Sequence, residues 1–126
     1  MLALFFFIMV VSEPNSLPAI EVQAGKFNYA LTYYDAEGDY PVKFELELRS
    51  QASCDLRVDC NEVSRIAVIA GDIAMGDHVL IIRATDSPPP GIATPRTSVY
   101  SLAVRAKERL NTAPVLAPVP AEVPAP

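Results

Sequence analysis

Apolar and polar residues alternate along several short segments of this chain. The clearest is residues 42–49, in which valine, phenylalanine and leucine fall on one face and charged residues on the other. A repeat of two residues is typical of a strand with one buried face. Residues 26–34 alternate in the same way. Further strands, rich in isoleucine, valine and alanine, are predicted at 65–70, 78–86 and 97–107.

Turn-forming residues punctuate these segments. Gly71-Asp72 and Gly76-Asp77 are turn pairs, and a Ser-Pro-Pro-Pro-Gly run occupies residues 87–91. No segment shows a convincing helical period. Short alternating strands with turn signals at this spacing predict an all-β fold, a seven-stranded antiparallel Greek-key β-sandwich.

A short phrase occurs twice, as Asn-Ser-Leu-Pro-Ala-Ile at residues 15–20 and as Asn-Thr-Ala-Pro-Val-Leu at 111–116. Each copy follows an apolar stretch with the composition of a strand. We interpret the chain as one unit of a tandem array, with the domain at 15–110. About 95 residues suffice for one hydrophobic core. For residues 111–126, which are rich in proline, three interpretations stay open: a linker, the start of a next repeat or a disordered tail.

The first eleven residues are wholly apolar. Two interpretations of residues 1–14 stay open: a segment like a secretory signal, without its basic region, or the last strand of a preceding repeat. The apolar stretch is too short to span a bilayer. Both interpretations imply export, so we expect the protein outside the cell or at the cell surface.

Composition narrows the range of partners. The formal net charge is −5 and the basic residues are scattered, which gives no reason to expect nucleic acid or an anionic membrane surface as a partner. Hydrophobic residues make up 51% of the chain, too many for a disordered central region. The partner that we expect, from the tandem-array interpretation, is another protein or like repeats.

Three motifs carry a resemblance to a known family. They are Tyr-Asp-Ala-Glu-Gly-Asp at 34–39, Leu-Ile-Ile-Arg-Ala-Thr-Asp-Ser-Pro-Pro at 80–89 and Leu-Asn-Thr-Ala-Pro-Val-Leu at 110–116. Together they resemble the cadherin-like superfamily, and within it the dystroglycan-type or putative Ig-like tandem repeat. The resemblance implies an Ig-like or cadherin-like sandwich. Two cadherin features are missing, since 108–111 is not Asp-rich and 71–77 lacks an Asp-Arg-Glu triplet.

The predicted topology suggests a calcium site. If the strands run alternately up and down, Asp35, Glu37 and Asp86 converge at the end where the chain enters the domain, and Asn15 adds an oxygen there. Calcium takes six to eight oxygen ligands from carboxylates and carbonyls. The resemblance implies the same site, because Asp35 and Glu37 match the Asp-x-Asp positions and Asp86 matches the Asp that follows Ala-x in the penultimate strand.

Two considerations limit this calcium prediction. The acidic linker residues are depleted, so the site is expected to be weak, with a Kd of about 0.1 to 1 mM. The alternative is ordinary turn chemistry, in which Asp, Glu and Gly serve only to connect strands.

Two cysteines, Cys54 and Cys60, enclose five residues. In an exported protein such a pair predicts a disulfide that pins the loop after the charged strand, and the alternative is two free thiols. Zinc is disfavoured because His78 is the only other candidate ligand of its kind. We expect His78 at the start of a strand with its ring at the surface.

The sequence contains no arrangement typical of an active site, so the chain is not expected to be an enzyme. A nucleophile elbow, a phosphate-binding glycine loop and a second histidine are all missing. Two functional classes remain. The first is an extracellular cell-adhesion or surface-display module, in a parent protein for which membrane anchoring stays open. The second is an accessory spacer or carbohydrate-binding module of a secreted enzyme. Phe27, Tyr29 and Tyr33 share a face predicted to be core, which favours the first class.

Overall fold

The computed structural model describes residues 15–50 and 54–120 of the chain. All regular structure in these residues is β, and none of them forms a helix able to cross a membrane. The eight strands are β1 (Asn15–Ser16), β2 (Ile20–Gln23), β3 (Phe27–Thr32), β4 (Lys43–Leu48), β5 (Leu56–Asn61), β6 (Ile66–Gly71), β7 (Gly76–Thr85) and β8 (Thr97–Lys107).

The strands form two sheets, which confirms the predicted all-β class and is consistent with a β-sandwich. In the first sheet β8 pairs antiparallel with β7, which pairs antiparallel with β4; β1 and β2 both run parallel to β8. The second sheet is antiparallel, in the order β3-β6-β5. The Greek-key connectivity stays a prediction.

The first strand is divided, so the described residues hold eight strands where we predicted seven. Leu17 still donates its N–H to the carbonyl of Ser101 at 2.8 Å. Pro18 follows and has no N–H to donate, so the ladder is interrupted before β2 resumes on the same partner.

The five strands for which the sequence analysis gave residue bounds are all present, each within two residues of its predicted ends. In β4 the leucines and Phe44 turn inward while Lys43, Glu45 and Glu47 are exposed, as the alternation requires. The buried residues of both sheets meet in one cluster: Phe27, Leu48, Leu56, Ile69, Ile73, Leu80, Ile82, Leu102, Val104 and Ala106. Tyr29 packs against it, as its predicted core position requires.

Strand β5 was missed by sequence reasoning. Leu56, Val58 and Cys60 are its more buried residues, while Arg57 and Asp59 are exposed. At its first residue, β5 passes unusually close to β6. A Cβ atom on Gly71, whose φ is +149°, would lie 2.3 Å from the carbonyl oxygen of Asp55. Only glycine fits this contact without a shift of the backbone.

The predicted disulfide between Cys54 and Cys60 is not formed in the structure, where both are free thiols. The residues between them are mostly strand, not a loop. From Leu56 to Cys60 an extended strand covers about 13 Å, and Cys54 precedes Leu56 by a further two residues. Cα atoms joined by a disulfide lie within about 7 Å. The extended backbone therefore accounts for the separate thiols.

An isoleucine is also buried on the outer face of the first sheet. Ile81 is 1% exposed, yet it alternates with the core residues Leu80 and Ile82 and so faces away from them. Glu47 is its cross-strand partner. Glu47 forms ion pairs with Arg83 at 3.0 Å and with Arg49, the residue after β4, at 3.9 Å. Glu47 and Arg83 lie on this outer face together with Ile81, and long charged side chains commonly cover apolar surface with their aliphatic stems.

The chain enters and leaves the domain at opposite ends. Because β1 and β2 run parallel to β8, the domain begins beside the first residues of β8 and the chain departs beyond its last. The eleven residues of β8 correspond to about 35 Å of strand. We call these the leading end and the trailing end. Residues 108–120, which follow β8, are exposed.

Candidate metal centre

The loop between β3 and β4, at the leading end, is organised by Asp35. Its Oδ1 accepts hydrogen bonds from the backbone N–H groups of Glu37 at 3.1 Å and Asp39 at 3.0 Å. Its carbonyl accepts from the N–H of Gly38, which has a φ of +74°. The N–H of Asp35 donates to the hydroxyl of Tyr40 at 2.9 Å. The loop is therefore held by its own turn chemistry.

This turn gathers three carboxylates. Asp35, Glu37 and Asp39 each present an oxygen within 4.8 Å of the others. Sequence reasoning placed Asp35 and Glu37 at this site but left out Asp39. The signal for Asp39 was present, because all three acidic residues follow one another at intervals of two in one short loop. We call these three residues the acidic trio.

Asp86 comes from the loop between β7 and β8 and is not a member of the acidic trio. Its Oδ1 accepts from the N–H of Arg96 at 2.8 Å, and its own N–H donates to the carbonyl of Arg96 at 3.1 Å, so it closes its loop. The next residue, Ser87, joins the two loops. Its N–H donates to the carbonyl of Asp39 at 2.9 Å, and its hydroxyl donates to the carbonyl of Pro41 at 2.7 Å.

Asn15 lies at the same end but is also outside the trio. It sits in β1 opposite Tyr100, three residues from the start of β8, and is exposed. Of the four residues predicted as ligands, the structure brings together Asp35 and Glu37. It places Asp86 in the adjoining loop and Asn15 on the neighbouring edge strand.

Negative charge accumulates at the trio. Partial burial raises the pKa of Asp39 above its ordinary value, and the carboxylates of Asp35 and Asp86 raise it further. Among the ion pairs of the described residues, none involves these three carboxylates. A bound cation would relieve this repulsion. The donors are hard oxygens, which suit calcium, but three carboxylates supply fewer ligands than its usual six to eight.

Beside the trio the sandwich opens into a groove of 790 Å³ at the leading end. Tyr33 stacks edge-on against Phe44, with ring centroids 5.4 Å apart. Its charged lining residues are Asp35, Glu37, Asp86 and Arg96. We call this feature the leading-end groove; its apolar lining includes Leu17, Leu31, Tyr33, Phe44, Ile82 and Tyr100.

His78, which we expected at the surface, is buried. Only 6% of it is exposed. Its Nε2 lies 2.6 Å from the carbonyl oxygen of Ala74, which can only accept, so Nε2 carries the proton. Nδ1 is hydrogen-bonded with the hydroxyl of Ser50, which can serve as donor or acceptor. The prediction was wrong because β7 begins two residues before His78 and turns its ring toward the core, where both nitrogens find partners.

No protein-family model matches this chain, and a search of curated protein sequences returned no match.

Proposed function

We propose that this chain is an extracellular cell-adhesion or surface-display module of a tandem-repeat protein. The observation that carries the proposal is that the chain enters and leaves the sandwich at opposite ends. Units built in this way can be joined end to end, each adding its own length to an extended rod. The repeated phrase at 15–20 and 111–116 supports the proposal, because the first copy forms β1 and the start of β2.

The resemblance to the cadherin-like superfamily agrees with this role. So does the distribution of aromatic residues, which argues against the alternative of a carbohydrate-binding module. Among the strongly exposed large apolar residues that the structure describes, Tyr34 is the only aromatic, with 81% of its surface exposed. One exposed ring does not form the row of aromatics on which sugars usually stack.

We further propose that the acidic trio binds calcium weakly at the joint with a preceding unit. The proposal rests on the convergence of three carboxylates on the leading end, with Asp86 adding negative charge from the adjoining loop. Backbone carbonyls and water would complete the shell. A cation held there would stiffen the joint between units by removing the repulsion within the loop.

Thermal unfolding with and without calcium tests this proposal. For a Kd of about 0.1 to 1 mM, 10 mM calcium should stabilise the folded chain by about 1.4 to 2.7 kcal/mol. Asp39→Asn should abolish the effect, because it removes one of the three carboxylates. The substitution should leave the turn intact, since the Asp39 side chain accepts none of the hydrogen bonds described for that turn. Asp35→Asn should reduce it while preserving the turn through Oδ1. Glu45→Gln, an exposed change elsewhere on β4, should leave it intact.

Equal stabilisation of the wild type and Asp39→Asn would refute the calcium site. The adhesion role has its own test, in which beads coated with the chain are mixed in calcium and in EDTA. Calcium-dependent clustering supports adhesion between like repeats. Binding of the chain to a glycan array, without clustering, would instead favour the accessory module of a secreted enzyme.

A further inference from the structure

We propose that the leading-end groove binds the trailing segment of a second copy of this chain, through Leu110 and Arg109. The proposal rests on the end-to-end arrangement proposed above and assigns the contacts that join neighbouring copies. It does not require calcium.

The groove exposes part of the hydrophobic core. Leu17, Leu31, Phe44 and Tyr100 pack against the buried cluster yet remain only partly buried themselves. They line a cavity of 790 Å³, which has room for one large aliphatic side chain and its neighbours. Because filling it removes apolar surface from water, an aliphatic group is favoured here.

The margin of the groove selects the charge of the occupant. The residues that line the groove include three acidic ones, Asp35, Glu37 and Asp86, and one basic one, Arg96. The acidic residues therefore outnumber the basic one at the mouth. An aliphatic side chain adjacent to a cation complements this margin, whereas one adjacent to an anion is repelled.

The trailing end offers such a pair. Leu110 is 82% exposed and directly follows Arg109. Val115, which is 92% exposed, lies in the same trailing segment but in a stretch, 111–120, without charged residues. Of the exposed large apolar residues in the described trailing segment, Leu110 is therefore the one with a cationic residue next to it in the sequence.

Groove and pair lie at opposite ends of the domain, so the contact joins copies head to tail. A contact between two different surfaces leaves one groove and one pair free after each association. Association should therefore continue past the dimer as concentration rises, unlike a symmetric contact that closes at two.

Sedimentation equilibrium of the full chain in EDTA at low salt tests the proposal. We expect an average mass that rises with concentration beyond that of a dimer. Leu110→Ser should lower the association constant about tenfold or more, since it removes most of the apolar area of one buried leucine. Val115→Ser, the matched control, should leave it unchanged. Circular dichroism verifies that both variants fold.

Charge reversal provides a second, independent measurement. Glu37→Lys and Arg109→Glu should each weaken self-association, and an equimolar mixture of the two variants should associate more strongly than either alone. A chain that is monomeric throughout, or an equal loss for Leu110→Ser and Val115→Ser, would overturn the proposal. Because calcium is excluded, failure here leaves the calcium site untouched, and failure of that site does not affect this result.

Discussion

Replacing Gly71 with alanine probes the close approach of β5 and β6. The added Cβ atom would meet the Asp55 carbonyl oxygen at 2.3 Å and the Cα atom of Leu56 at 3.1 Å. Both are backbone atoms and cannot rotate away. The two strands must therefore separate where Leu56 pairs with Gly71, at one end of their ladder.

The magnitude has two parts. Backbone strain at a φ of +149° costs about 1–3 kcal/mol for a residue with a Cβ atom. Forced displacement of packed atoms costs about 1–3 kcal/mol more. We expect Gly71→Ala to lower the free energy of unfolding by about 2–6 kcal/mol, a large share of the roughly 5–15 kcal/mol of a typical domain.

Gly76→Ala is the matched control. Gly76 also has a positive φ, +126°, but a Cβ atom there would meet nothing within 4 Å. The Gly76→Ala substitution therefore introduces backbone strain, as Gly71→Ala does, but no steric collision. Urea denaturation followed by circular dichroism measures both variants. If Gly71→Ala costs no more than Gly76→Ala, the collision with Asp55 does not govern the stability of this strand pair.

Three further predictions follow from the described contacts. Because burial and negative neighbours raise the pKa of Asp39 in the folded state, the wild type loses stability as pH rises from the unfolded pKa to the folded one. In EDTA, Asp39→Asn should therefore be more stable than wild type at pH 7, and this advantage should vanish below about pH 3.9; an advantage that persists at acid pH would contradict the reasoning. Cys54 and Cys60 should both react with a thiol reagent in denaturant without reductant; no reaction would indicate the disulfide instead. Glu47→Ala should cost about 0.5–1 kcal/mol in low salt, less in 1 M salt, and more than Glu45→Ala; equal costs would show that its two ion pairs add nothing.

Much of the fold was predictable because alternation is a local property. The segments around β3, β4, β6, β7 and β8 showed it clearly, and each became a strand. Residues 56–61 alternate as well, with Leu56, Val58 and Cys60 on one face. That signal was overlooked because the spacing of Cys54 and Cys60 favoured a closed loop.

The candidate site was only partly predictable. Asp35 and Glu37 belong to one loop, so their proximity followed from the sequence. Their relation to Asp86 depends on Ser87 bonding across to the first loop, a contact between segments remote in the chain. The hydrogen bonds of the buried His78 ring likewise involve Ala74 and Ser50. Ser50 precedes His78 by 28 residues.

The sequence by itself determined which residues of most strands face inward and which loop carries the acidic residues. The tertiary structure alone decided that β1 and β2 both pair in parallel with β8. It also decided that an open groove lies beside that acidic loop. The physical reason is that alternation specifies the faces of each strand, whereas pairing between distant strands depends on how all of them bury their apolar faces together.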